Sequence, residues 1–129
     1  FSEIACRPPG VGVWDLFSAI NDMDLYKMWA NIVTQGKFHQ QPSRRYAGGM
    51  ISLRPNKDGI VSGYTGVEEI NNRYGSNIIK AYLPPVGKQT QPIEAGYRAN
   101  AWMFVRHEDY DQLRHMMDNI GKTLRMWAD

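Results

Sequence analysis

Glu3 and Arg7 share the opening stretch FSEIACR, which runs directly into the Pro/Gly segment PPGVG. Read as a strand, Phe1 to Arg7 alternates its faces with period two, so Glu3, Ala5 and Arg7 share one side and Ile4 and Cys6 the other. A carboxylate and a guanidinium then lie about 13 Å apart along one face, at roughly 3.3 Å per residue. An acid and a guanidinium whose direction the backbone fixes are suited to binding charged groups. The opposite side is apolar enough to pack on a core. Gly10 and Gly12 in the following loop let backbone N–H groups approach a ligand closely. The plain alternative is a solvated sheet face, where a Glu and an Arg are ordinary, and short motifs produce many false positives.

Elements that could position such a pair follow at once. Val13 to Asn21 reads as a short helix, with Trp14, Phe17 and Ile20 at helical spacing and Leu16 widening the stripe. Asp22 or Asp24 can cap a second helix reaching to Gln35, in which Leu25, Met28, Trp29 and Ile32 form one face. Gly36 is a natural stop. Lys27-Met28 invites comparison with a biotinylated lysine between two methionines at a hairpin tip, but Tyr26 precedes Lys27 and the segment is helical. Lys37 to Ser43 is polar and reads as a linker. His39 within it has no second His or Cys at ligand spacing, so zinc is not expected.

The remainder, residues 44–129, carries a β-β-α-β-β-α order. Arg44 to Leu53 is a strand with Tyr46, Gly48, Met50 and Ser52 on one side, and Gly48-Gly49 signals a bulge or a close backbone approach. Pro55 to Gly59 is a turn whose Asp-Gly suits a tight hairpin to a second strand, Gly59 to Tyr64. Thr65 to Glu68 has capping-box spacing and opens a helix over Val67 to Tyr74, ended by Gly75. Asn77 to Leu83 is the third strand, Pro84 to Gly87 turns the chain, and Tyr97 to Arg106 is the fourth. Trp102 and Phe104 share one of its faces, Met103 and Val105 the other. Asp109 to Trp127 reads as one long helix, its stripe being Tyr110, Leu113, Met117, Ile120, Leu124 and Trp127. No internal repeat is evident.

At 129 residues the sequence is one domain by size, large enough for a real core. A formal net charge of +2, with basic residues spread along the chain, gives no electrostatic footprint for nucleic acid. No apolar run reaches the length of a membrane span, nothing reads as a signal peptide, and a cytoplasmic setting is expected. The single cysteine, Cys6, excludes an intrachain disulfide and reads as a small buried hydrophobe rather than a nucleophile. The sequence opens inside a strand without an initiator Met, so a fragment is expected.

E-I-A-C-R followed by a Gly-containing loop resembles the last active-site strand of the ATP-grasp superfamily, written E-x-N-x-R. The later order is also similar to the C-terminus of ATP-grasp carboxylate–amine ligases and biotin-carboxylase-like proteins. It comprises strand, Asp-Gly turn, strand, the G-V-E-E-I helix, strand, Pro-Pro-x-G, and a strand with Gly and Arg. The resemblance implies an α+β fold, an antiparallel sheet with a preceding strand and helical pair. Residues 1–36 would end the catalytic subdomain, 37–43 would link, and 44–129 would form the C-terminal subdomain. It implies Glu3 as ligand to Mg²⁺ held by ATP, Arg7 as the contact to phosphate or acyl phosphate, and Gly10 and Gly12 as the loop facing a carboxylate substrate. Ala5 departs from the pattern, which often has a second metal ligand, Asn, there. Arg44, Arg45 and Arg98 are further candidates for substrate contacts, and exposed sheet-edge charges are the competing reading.

The implied chemistry is carboxylate activation. The γ-phosphoryl group of ATP passes to a carboxylate, and an amine or other nucleophile displaces phosphate from the acyl phosphate. Such transfer needs positioning and charge neutralisation more than covalent help. The implied partners are the missing N-terminal ATP-grasp subdomains and small carboxylate and amine substrates, with neither nucleic acid nor membrane, and with room for a homodimer. The chain alone is then expected to be inactive. The reading from a different class is a free-standing α+β interaction or oligomerisation module in which Glu3 and Arg7 are incidental. A weaker third is a small-ligand-binding domain using the Gly loop.

Overall fold

The computed structural model describes residues 9–95 and 100–129. Two helices come first. Helix α1, Val13–Ile20, starts from Gly12, and α2, Leu25–Gln35, starts from Asp24, whose carboxylate accepts from the Lys27 amide at 3.0 Å. Gly36 ends α2 in the left-handed region at φ 63°. Trp14 is the buried anchor of the pair, meeting Tyr26 and Trp29 edge-on at 5.1 and 5.7 Å between centroids.

Strand β1 spans Ala47–Leu53, β2 Val61–Thr65, α3 Val67–Tyr74, β3 Ile78–Tyr82, β4 Ala101–His107, α4 Tyr110–Thr123 and β5 Arg125–Ala128. Every pairing among these strands is antiparallel, and the α+β class expected from the sequence stands. One sheet has the order β1-β4-β3 and the other the order β2-β5. The core lies between the first sheet and α3 and α4, and draws Ile51, Leu53, Val61, Ile70, Met103, Val105, Leu113, Ile120 and Met126 into one cluster.

The expected hairpin between the first two strands does not form. Strand β1 pairs with β4, Met50 opposite Phe104. The Asp58-Gly59 step is not a primed turn, because Gly59 lacks the positive φ that such a turn requires. Instead the segment receives the C-terminal strand. Asn56 Oδ1 accepts from the Ala128 amide at 2.9 Å, and Ile60 and Asp129 exchange both backbone hydrogen bonds at 2.8 and 2.9 Å.

The long final helix is also shorter than expected. Helix α4 ends at Thr123, Leu124 is extended at φ −80° and ψ 124°, and the chain returns as β5. Residues 125–128 alternate outward and inward, with Met126 and Ala128 buried and Trp127 42% exposed. A helical stripe would have buried Trp127. Period two wins because β2 offers an open edge for pairing, and Asp109 still caps the helix start by accepting from the Gln112 amide at 2.8 Å. The capping box at Thr65 is not made either. The N-cap of α3 is Gly66, with no side-chain cap bond. At its other end Gly75 passes in right-handed backbone into a 3₁₀ turn, Gly75–Asn77.

Gly48 and Gly49 permit close approach from both sides of β1, with no break in its register. A Cβ on Gly48 would lie 2.6 Å from Ile20 Cγ2 of α1, and one on Gly49 would strike the Met117 side chain of α4. The sheet is thereby held between α1 and α4.

Candidate functional site

The Gly10–Gly12 loop sits on the outer face of the three-stranded sheet. Gly12 has φ 77°, and a Cβ there would lie 2.6 Å from Cζ of Phe104. Its α-carbon is therefore committed to packing. Gly10 is the opposite case, exposed and with nothing within 4 Å of where a Cβ would be. The Gly10 carbonyl accepts from the Val13 amide at 3.2 Å. Between them Val11 is left-handed at φ 58°, a conformation that a β-branched residue adopts only under constraint.

Alternation in β4 organises the face beneath this loop. Phe104 stacks at 4.8 Å on Trp102, and Trp102 lies 6.3 Å from Tyr82, its cross-strand partner in β3. Arg106, next along the same face, lays its guanidinium 4.4 Å from the centre of the Tyr46 ring and donates from Nη1 to the Ala19 carbonyl at 3.3 Å. Phe104 and Arg106 thus hold the two ends of α1. Asn21 adds a second tie. Its Oδ1 accepts from the Arg44 amide and its backbone carbonyl from the Ser43 amide, both at 3.1 Å. That contact draws the segment between α2 and β1 back against the helical pair and leaves Arg44 at φ 53°.

Past Tyr82 the face opens into a cavity of about 270 Å³ between Tyr82, Trp102, Pro84, Lys88, Gln91 and Asn100. Nearby, Tyr64 donates its hydroxyl to the Pro84 carbonyl at 2.5 Å. Burial pushes this hydroxyl above the ordinary tyrosine range, and the neighbouring Tyr82 adds to the shift.

Glu3, Arg7 and Arg98, with the opening strand, lie outside the described residues. Arg45 is engaged at the surface, 3.6 Å from Glu108, with its guanidinium 5.2 Å from the Tyr46 ring centre. Trp102 and Phe104 were expected on one face, but Tyr82 and Arg106 were not expected to join them there. Period-two spacing of Trp102, Phe104 and Arg106 was the available signal, but their neighbours come from distant segments. Among the described residues, no three His, Cys, Asp or Glu side chains cluster as a metal site, and no helix is long and apolar enough to cross a membrane.

No family model and no curated protein matches the sequence. Solved structures do match the fold. The L-amino acid ligase from Bacillus licheniformis superposes with a TM-score of 0.65 at 12% identity, over 92% of this chain and 31% of that one. The phosphoribosylglycinamide synthetase from Anaerococcus prevotii gives 0.59 at 15% identity, over 92% of this chain and 30% of its own. Both are ATP-grasp enzymes, and this chain shares its fold with a part of each. The chain thus spans about a third of each ATP-grasp structure it resembles. The Gly loop, the helical pair and the sheet on which they rest form one connected block.

Proposed function

We propose that the chain is the C-terminal part of an ATP-grasp ligase that activates a carboxylate as an acyl phosphate for attack by an amine or other nucleophile. The observation that supports this best is the fold match over 92% of the chain to two proteins named as a ligase and a synthetase. In this reading residues 1–36 close the catalytic subdomain, 37–43 link, and 44–129 form the C-terminal subdomain. The remaining ATP-grasp subdomains are its partners. The uncovered Val13, Phe17, Val33 and Phe38 give the helical pair apolar surface to set against them.

Glu3 and Arg7 carry the site. A hard carboxylate oxygen suits Mg²⁺, which takes one or two carboxylates alongside substrate phosphates. Magnesium would supply neutralisation of phosphate charge. Arg7 offers a planar donor fork to phosphate or acyl phosphate. Gly10, uncovered and next to the strained Val11, offers open backbone to the carboxylate substrate, while Gly12 fixes the loop on Phe104.

The test is Glu3→Ala and Arg7→Ala in the full-length protein, assayed for ATP-dependent ligation. Loss of ligation by two orders of magnitude or more, with folding intact, is expected. A full-length Glu3→Ala enzyme of normal rate would end the assignment. The 129-residue chain alone is expected to show no ATP turnover.

A further inference from the structure

We propose that the cleft between α3, α4 and the end of β4 binds a phosphate group, carried by free phosphate or by a small phosphate monoester. The cleft has a volume of about 400 Å³, and Arg73, His107, Gln112, His115 and Asn119 line it together with the buried Met116. It opens on the α4 side of the sheet. His107 shares the parity of Met103 and Val105, which pack into the core with α4, whereas Phe104 and Arg106 meet the Gly loop and α1.

Hydrogen bonds within the fold occupy acceptors around this cleft and leave donors. Tyr74 donates its hydroxyl to Asn119 Oδ1 at 3.2 Å, and among the described residues the Asn119 Nδ2 group has no partner. The Asp109 amide donates to His107 Nδ1 at 2.9 Å, so in the neutral ring the hydrogen sits on Nε2 and that nitrogen is a donor. Arg73 lies over the Tyr74 ring at 5.1 Å from its centre and, among the described residues, forms no ion pair. A guanidinium on a ring face keeps its in-plane N–H fork for an anion. Asn77, also on the wall, differs, because its Nδ2 donates to the Arg106 carbonyl at 3.0 Å.

Charge points the same way. Among the described residues, no Asp or Glu lines the cleft. The carboxylates on the elements around it are Glu68 and Glu69 of α3, Glu108 and Asp109 ahead of α4, and Asp111 and Asp118 of α4. Glu108 lies 3.6 Å from Arg45, and Asp109 accepts from the Gln112 amide. A phosphate in the cleft meets one guanidinium and donors from three elements, α3, β4 and α4. A tetrahedral oxyanion takes donors from several directions at once, whereas a planar carboxylate matches the arginine fork alone. None of these residues is used by the proposed carboxylate activation, and the chain is tested without ATP, so failure of either idea leaves the other intact.

The experiment titrates inorganic phosphate, glycerol 3-phosphate, glycerol and acetate separately into the 129-residue chain by calorimetry, at fixed pH and ionic strength. Saturable binding of at least one phosphate compound is expected, with glycerol and acetate at least tenfold weaker. Tighter binding of the ester assigns the site to monoesters, and equal or tighter binding of phosphate assigns it to the free ion. Arg73→Gln and Asn119→Asp are each expected to weaken binding at least tenfold. Asn119→Asp keeps an acceptor for the Tyr74 hydroxyl and replaces only the Nδ2 donor, so the fold is retained. Lys57→Gln removes the same charge as Arg73→Gln from an exposed turn that does not line the cleft, and is expected to bind as the parent does. The proposal is overturned if neither phosphate compound binds saturably, if acetate or glycerol matches them, if Arg73→Gln and Asn119→Asp bind as the parent does, or if Lys57→Gln weakens binding as much as Arg73→Gln.

Discussion

Arg106 and Ala19 are 87 positions apart in the sequence, and the Arg106 guanidinium donates to the Ala19 carbonyl at 3.3 Å. The accepting carbonyl belongs to the last turn of α1, where carbonyls lack helical partners and a cation is favoured. The same guanidinium lies on the Tyr46 ring. One side chain therefore ties the helical pair to both the central strand and the segment entering β1. Arg106→Ala is expected to cost about 1–3 kcal/mol, read as a lower midpoint in urea unfolding. Arg106→Lys recovers little of this, because an ammonium cannot lie flat on Tyr46 while reaching Ala19.

The loop glycines are expected to respond oppositely to the same substitution. Gly12→Ala adds a methyl group 2.6 Å from Phe104 Cζ and forces a left-handed alanine, at an expected loss of about 2 kcal/mol or more. Gly10→Ala meets open space and is expected to stay within about 0.5 kcal/mol of the parent. Paired chemical denaturation curves check both, and equal losses would show that Gly12 is not the point where the loop is anchored.

Tyr64 gives a pH signature. Its folded pKa is raised above the unfolded value of about 10, so the native state holds this proton more tightly than the unfolded chain. The associated stability is fully present below the unfolded pKa and is lost as pH rises through the folded one. Tyr64→Phe removes that loss. Its stability at pH 8 is lower by about 1 kcal/mol for the missing bond to Pro84. Its decline above pH 10 is shallower than the parent's, as urea unfolding at a series of alkaline pH values will show.

Met126 distinguishes the strand observed at the C-terminus from the helix expected there. It is 2% exposed and sits opposite Tyr64 in the β2-β5 pair. Met126→Ala is expected to cost about 2–5 kcal/mol. Trp127→Ala, on the outward face, costs far less. A continuous helix would place Trp127 on the buried stripe and reverse that ranking, so thermal unfolding of the two variants decides between them.

What the sequence made legible was local chemistry. Asp24 and Gly36 bound α2 where their side-chain and backbone preferences place them, and Gly48-Gly49 signalled a close approach that the packing of Ile20 and Met117 explains. Partner choice was not legible. Nothing in Arg44 to Leu53 names β4 as its neighbour, and an Asp-Gly step next to two strands is as compatible with receiving a distant strand as with a hairpin. The C-terminal segment misled because Leu124 and Trp127 continue a helical spacing by coincidence, while Met126 and Ala128 fit period two equally well. For the site, Gly10 and Gly12 were visible as a pair, but only the position of Phe104 separates the packed glycine from the open one. The aromatic row needed β3 and β4 side by side before Tyr82 and Trp102 became neighbours.

The strand order carries a consequence for biosynthesis. Strand β4 is the middle of its sheet, and β2 has only β5 to pair with. While the ribosome is still making residues before 101, β1, β2 and β3 all have unpaired edges and no sheet can close. Closure through such distant partners is slow and leaves sticky intermediates. The nascent chain therefore keeps these strand edges uncovered until residues 101–128 emerge.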